Sequence, residues 1–260
     1  GTFADAVLVT FPAAVWHARR AIAVATLVFV AGFAATAIWL ATSPAAYEAA
    51  LPETARQAYL EEEFEAYYSS EPGTTFAARV FTNNAGVGAV AFGSGIAAGV
   101  PTLAILLFNG INVGIAAGLF HAAGEAARFW GLILPHGLLE LTAVFVAGGA
   151  GLQLGLALLL PGDRPRSVSL AEEGRRSVVI VLGLVLVFLL AGLLEGYVTP
   201  APWQTWVRVG TGTLVWSAFL VYVAVLGPRA ARRGRTGAFG ELRTSAASAS
   251  AQRADAFVSR

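Results

Sequence analysis

The stretch from Ala21 to Leu40, AIAVATLVFVAGFAATAIWL, contains no charged or amide side chain. A helix of about 20 such residues spans the ~30 Å hydrocarbon core of a bilayer with its backbone polar groups bonded internally. This stretch therefore points to lipid as the solvent of the fold. Arg19 and Arg20 precede it. The run is too long and too far into the chain for a signal-peptide core, and it reads as a retained first span.

The rest of the chain agrees with that reading. Of 260 residues 57% are hydrophobic and 13% charged, about half the charge density of a soluble domain, and the mean hydropathy is +0.67. All 17 basic side chains are Arg and the formal net charge is +1, which excludes nucleic-acid binding by bulk charge. The absence of Cys removes disulfides, thiolate metal sites, iron–sulfur clusters and cysteine nucleophiles. Gly1 and the absence of Met suggest an excised or processed segment.

Residues 1–20 read as a cytoplasmic lead-in and 21–42 as the first span. Residues 43–79 form an acidic extracytoplasmic segment with Glu48, Glu53, Glu61, Glu62, Glu63, Glu65 and Glu71 against Arg56, and with Arg79 at its end, the one exception to the Arg bias, placed to snorkel to the headgroups. Within it Leu60, Phe64, Tyr67 and Tyr68 recur at helical spacing opposite the Glu cluster, predicting a short amphipathic helix whose aromatic side rests at the interface. Residues 80–160 form a core of about three spans. Val80–Phe120 is long enough for two, one from about Thr82 to Val100 and one from Pro101 to Phe120, with Pro101 in a first helical turn. One full span plus a re-entrant hairpin is the alternative. Phe129–Leu160 holds at least one more crossing. Residues 161–176 are an Arg-rich cytoplasmic loop. Residues 177–228 hold the last two spans, Ser177–Leu194 and Val207–Leu226, separated by Thr199-Pro200-Ala201-Pro202 and flanked by Trp203 and Trp206 as interfacial anchors. Residues 229–260 are predicted to be a disordered cytoplasmic tail. The fold class is all-α: a polytopic transmembrane bundle of about six spans, with broken or re-entrant helices considered between 80 and 160.

Retention of Arg-rich loops in the cytoplasm sets the orientation. Arg19 and Arg20, then Arg164, Arg166, Arg175 and Arg176, then Arg229, Arg232, Arg233 and Arg235 all fall on one side of a six-span plasma-membrane protein. Both termini are then cytoplasmic. The Arg cluster beside the last span also favours the anionic inner leaflet.

Polar side chains within apolar runs are costly and are default candidates for function. Asn83, Asn84, Asn109, Asn112, His136, Glu140 and Gln153 are such residues, and they are expected to meet in one polar core. His136 and Glu140 lie four apart on one helix face. A structural hydrogen-bond network is the first reading, a proton or ion pathway the second, and a metal pair the third. Two ligands do not make a site, so no metal, cofactor or catalytic residue is assigned. Pro101, Gly110, Pro135, Gly137 and Gly151 mark candidate helix breaks or close packing; the many glycines four apart favour packing. Neither a phosphate-binding loop with Lys nor a nucleophile elbow occurs, so energy from ATP would have to come from a partner.

Thr82-Asn83-Asn84, Phe108-Asn109-Gly110 with Gly114, and Leu134-Pro135-His136-Gly137-Leu138-Leu139-Glu140-Leu141 followed by Ala147-Gly148-Gly149-Ala150-Gly151-Leu152 together resemble the stage II sporulation protein M family over roughly residues 20–228, in an actinobacterial-type relative. The resemblance implies an integral membrane scaffold of the cell envelope that recruits peptidoglycan-remodelling proteins. The family's namesake does this during engulfment in spore formers. Members often carry a cytoplasmic helical segment ahead of the first span. The motif residues carried over are Asn83, Asn84, Asn109, Gly110, His136, Gly137 and Glu140. The expected partners are the lipid bilayer, extracytoplasmic envelope proteins and a cytoplasmic ATPase or regulatory protein, with self-association through glycine faces left open. The alternative is a transporter or channel component with a polar pathway through Asn109, His136 and Glu140. A third possibility, an intramembrane hydrolase, would need a bound metal or a third group beside His136 and Glu140.

Overall fold

Uncharged runs of Ala, Leu, Val and Gly far longer than a strand can satisfy their backbone in lipid only as helices. The computed structural model describes residues 2–63 and 73–241, and among these there is no strand. Helix α1 spans Phe11–Thr42 and is preceded by a π turn, Ala6–Thr10. Ser43 ends it in extended conformation, and the Ser43 hydroxyl accepts from Ala46 N at 3.2 Å to start α2, Pro44–Ala50. Here a capping hydroxyl and a first-turn Pro divide two helices. Helix α3, Glu53–Ala58, continues through a π turn at Tyr59–Glu63.

Helix α4 is Gly73–Gly93, followed by a 3-10 turn at Ser94–Ile96. Ala98 and Gly99, with φ of 59° and 76°, reverse the chain into α5, Val100–Ala122, which has Pro101 in its first turn. Helix α6 is Ala126–Leu159, α7 is Arg166–Leu193 with a π turn at Leu194–Val198, and α8 is Thr205–Arg232.

Among the described residues, five helices are long and apolar enough to cross a bilayer: Arg19–Thr42, Val100–Ala122, Ala126–Leu159, Arg166–Val198 and Thr205–Arg232. A helical bundle of membrane-spanning helices is thus the fold. The helix expected at Thr82–Val100 begins at Gly73 and ends at Gly93. Residues 94–99 are used by the reversal, and the helix extends upstream instead, through Thr74, Thr75 and Arg79. These polar residues and the Asn pair keep α4 outside the five most apolar helices. It still packs along α6 and α7, with Gly88 against Phe188 and Ala147. Between 80 and 160 the chain is interrupted at the Ser94–Gly99 reversal and the short α5–α6 turn. Helix α5 runs through Gly110, and α6 runs through Pro135, Gly137 and Gly151.

Glycine spacing explains how α1 and α5 approach. Gly110, Gly114 and Gly118 lie on one face, and a Cβ at each would come within 2.6 Å of Phe29 O, Phe33 O and the Leu40 side chain respectively. Gly32 reciprocates against Leu107. This is the small-residue seam that membrane helices use in place of a hydrophobic driving force. Helix α6 is central and touches α1, α4, α5, α7 and α8. Ala143, Ala147 and Ala150 on it meet Ala18, Ala25, Leu106, Ile180 and Phe188 in the core. Leu27, Phe108, Leu182 and Leu214 point outward and are more than half exposed, as expected of a surface solvated by lipid.

Two sequence expectations end at the described boundary. Phe64, Tyr67, Tyr68, Glu65 and Glu71 lie outside the described residues, as does the tail from 242. The part of the expected disordered tail that is described is fixed: Phe239 N donates to Arg175 O at 3.1 Å, and Arg175 Nε donates to Phe239 O at 2.8 Å.

Candidate functional site

Pro135 sits inside α6 and lacks an N–H, leaving the preceding turn short of a hydrogen bond. Gly212 of α8 fits against that point so closely that a Cβ would lie 2.0 Å from Pro135 O. Gly131, one turn earlier, faces Thr205. The end of α7 is held from the other side, where Gly192 packs on Ala77 O and Gly196 on Gly73 O of α4. These contacts bring α4, α6, α7 and α8 together around His136, at the end of the bundle where Phe120 and Phe129 pack with the α2–α3 segment.

His136 Nε2 lies 3.8 Å from Glu195 Oε1, and suitable donor atoms of His136, Glu140 and Glu195 all lie within 4.8 Å of one another. His136 is 5% exposed and Glu195 3%, while Thr199 is fully buried. His136 Nδ1 is 3.1 Å from Thr199 Oγ1, and the Thr199 hydroxyl donates toward Leu194 O at 3.4 Å. With its proton so placed, Thr199 accepts from Nδ1–H, and Nε2 carries the lone pair that faces the carboxylates. The Oε2 atoms of Glu140 and Glu195 are buried without a hydrogen-bond partner. Arg79 of α4 acts electrostatically on Glu195. Arg208 fixes the far wall by donating to Thr199 O at 2.6 Å and to Thr205 Oγ1 at 3.2 Å. A cavity of about 420 Å³ beside it is lined by Arg128, Gly131, Leu132, Thr205 and Arg208. Chemically, the cluster is a set of converging acceptors that can share a proton or take a cation.

Of the polar residues singled out in the sequence, His136 and Glu140 are brought together. Asn83 is exposed and donates to Asn84 Oδ1 at 3.2 Å. Asn109 turns back on its own helix, donating to Ile105 O at 2.8 Å, and Asn112 is exposed. Leu106 of α5 meets Gly148 of α6, which places Asn109 about 13 Å from His136 along the bundle axis at 1.5 Å per residue. Gln153 is half-buried and about 25 Å further along α6 than His136. The polar residues thus occupy several levels rather than one core. Pro101 starts α5, Gly110 belongs to the α1 seam, and Gly151 packs on Ala91 O and Phe92 O. A Cβ on Gly137 would meet only the Cγ2 methyl of Ile133, at 2.9 Å.

Sequence reading missed Glu195, Thr199 and Arg208. The predicted span ended at Leu194, one residue short of the carboxylate. A lone acid directly after an apolar run, followed by Thr and Pro, was the available signal.

The family model SpoIIM, Stage II sporulation protein M, matches residues 25–200. The chain is 29% identical over 123 residues to an uncharacterized protein of Methanocaldococcus jannaschii, an alignment covering 46% of this chain and 69% of that protein. No solved structure matches.

Proposed function

This chain belongs to the stage II sporulation protein M family, and we propose that it acts as an integral membrane scaffold that positions proteins of the cell envelope. The observation that carries this reading is the way the acidic segment is fastened. Leu60 packs with Ala117, Phe120 and Phe129 at the rim of the bundle. Arg128 of α6 donates to Leu60 O at 2.6 Å and Glu61 O at 3.0 Å. Arg56 donates to Tyr47 O and Leu51 O and stacks on the Tyr47 ring at 4.4 Å. Glu48, Glu53 and Glu61 are exposed on this cap. A surface fastened to the bundle with exposed carboxylates supports docking, because less ordering entropy is lost when a partner binds.

In this reading α4, which runs along α7 from Gly73 against Gly196 to Gly88 against Phe188, makes a sixth crossing, so that both termini lie in the cytoplasm, the cap faces outward, and the Arg164–Arg176 region and tail meet a cytoplasmic ATPase or regulatory partner. The test uses the full chain in its native membrane with a photo-crosslinking residue at Thr54, exposed beside Glu53 on the cap. A discrete crosslinked envelope protein, weakened by combined Glu48→Gln, Glu53→Gln and Glu61→Gln, is expected. An unchanged crosslink in the triple variant would contradict docking through this face.

One observation favours a second reading, a transporter or channel component: Glu140 and Glu195 each keep a buried carboxyl oxygen unbonded, and intramembrane acids commonly mark ion paths. Such a path would pass His136 and Glu140 but not Asn109, whose amide is bonded within α5. Proton or ion flux in liposomes, abolished by Glu140→Gln, would decide for it.

A further inference from the structure

We propose that His136, Glu140 and Glu195 form a binding site for one divalent transition-metal cation of the zinc class, inside the bundle and below the acidic cap. Three acceptors face one another there. The Thr199 hydroxyl directs its proton to Leu194 O and takes the His136 Nδ1 proton, so Nε2 presents a lone pair to Glu195 Oε1 at 3.8 Å. A hydrogen bond of this kind at the ring nitrogen away from the metal fixes the tautomer and orientation of metal-ligating imidazoles.

Glu195 is 3% exposed, and its Oε2 has no hydrogen-bond partner; Oε2 of Glu140 is buried in the same state. Buried carboxylates left so are costly unless something positive lies between them. Ligands on a tetrahedral zinc at ~2.0–2.2 Å stand about 3.4 Å apart. His136 Nε2 and Glu195 Oε1, at 3.8 Å, are near that value, and all three ligand atoms lie within 4.8 Å of one another, so the side chains would draw in by up to about 1.4 Å around a bound ion. One imidazole and two carboxylates match a divalent charge and suit zinc before softer ions. With no Cys or Met in the chain, sulfur cannot compete. Three protein donors leave a coordination position for water or another ligand, the pattern of non-structural zinc sites.

The test is metal content and coordination in the full chain, purified in detergent after growth with added zinc or manganese. About one equivalent of zinc per chain is expected, with X-ray absorption showing one imidazole nitrogen and oxygen neighbours only. Glu195→Gln and His136→Gln should each weaken zinc binding at least about ten-fold, since loss of a partner that merely orients a ligand already costs that much. Removal of zinc by chelator should lower the thermal midpoint of the wild type but not of Glu195→Gln. Should either variant fail to fold, the wild-type absorption spectrum and chelator shift still decide. Wild-type protein without metal, whose midpoint neither zinc nor manganese moves, would mean that the cluster holds a shared proton, and the proposal would be overturned. Equal zinc binding by wild type and both variants would overturn it as well.

Discussion

The imidazole of His136 on α6 and the hydroxyl of Thr199, just past α7, are hydrogen-bonded at 3.1 Å, both buried. This bond ties the two helices beside the acidic pair and sets which ring nitrogen faces it.

Thr199→Val keeps the shape and removes the acceptor, leaving a buried N–H unsatisfied. The expected loss is about 1–3 kcal/mol of stability, measured by thermal unfolding in detergent. A variant as stable as wild type would mean that the ring is held by its other contacts.

Helix α8 should tolerate a methyl group at one glycine and reject it at another two positions away. A Cβ at Gly212 would lie 2.0 Å from Pro135 O, whereas Gly210 has open space around it. Gly212→Ala forces the helices apart and should lose about 1–3 kcal/mol. Gly210→Ala should be neutral or gain up to about 1 kcal/mol from helix propensity. Unfolding midpoints of the two variants compare them directly.

Arg128→Gln should loosen the cap without unfolding the bundle, because Arg128 binds the carbonyls of Leu60 and Glu61 from α6. Amide exchange at residues 53–61 should quicken, while exchange along α5 and α6 should stay slow. Uniformly faster exchange would show that the cap and bundle unfold together.

At the opposite end, burial disfavours the charged form of Glu241, but the N–H groups of Thr236 and Gly237 and the Arg235 side chain outweigh it and hold the carboxyl below its ordinary value. Its folded value is the lower one, so its contribution is fully present above the unfolded value of ~4.3 and is lost as pH falls through the depressed folded value. The protection of the amides at residues 236–241, with exchange rates corrected for their intrinsic pH dependence, should therefore fall below about pH 4, and Glu241→Gln should remove that fall.

The apolar runs made the membrane helices legible because 20 uncharged residues allow few other structures. The glycine ladder on α5 was likewise readable as packing, since spacing by four defines one face. The start of α4 was not: composition at 73–81 is mixed, and the helix is recruited by packing on α6 and α7 rather than by its own hydropathy. The candidate site was half legible. His136 and Glu140 share a helix face by local geometry, but Glu195 reaches them only through the tertiary pairing of α6 with α7, which no spacing encodes. The amides were misleading for a related reason: a polar side chain such as Asn109 can satisfy itself on the carbonyl one turn back, with no polar core at all.

The most direct test of a membrane-spanning bundle with an outward cap is cysteine accessibility, which is clean because the chain has no native Cys. Single cysteines are placed at Glu53 on the cap and at Gly162 in the loop between α6 and α7, and intact cells are treated with a membrane-impermeant maleimide. The account predicts that Glu53→Cys reacts in intact cells and that Gly162→Cys reacts only after permeabilisation. Equal labelling of both before permeabilisation, or the reverse pattern, would contradict it.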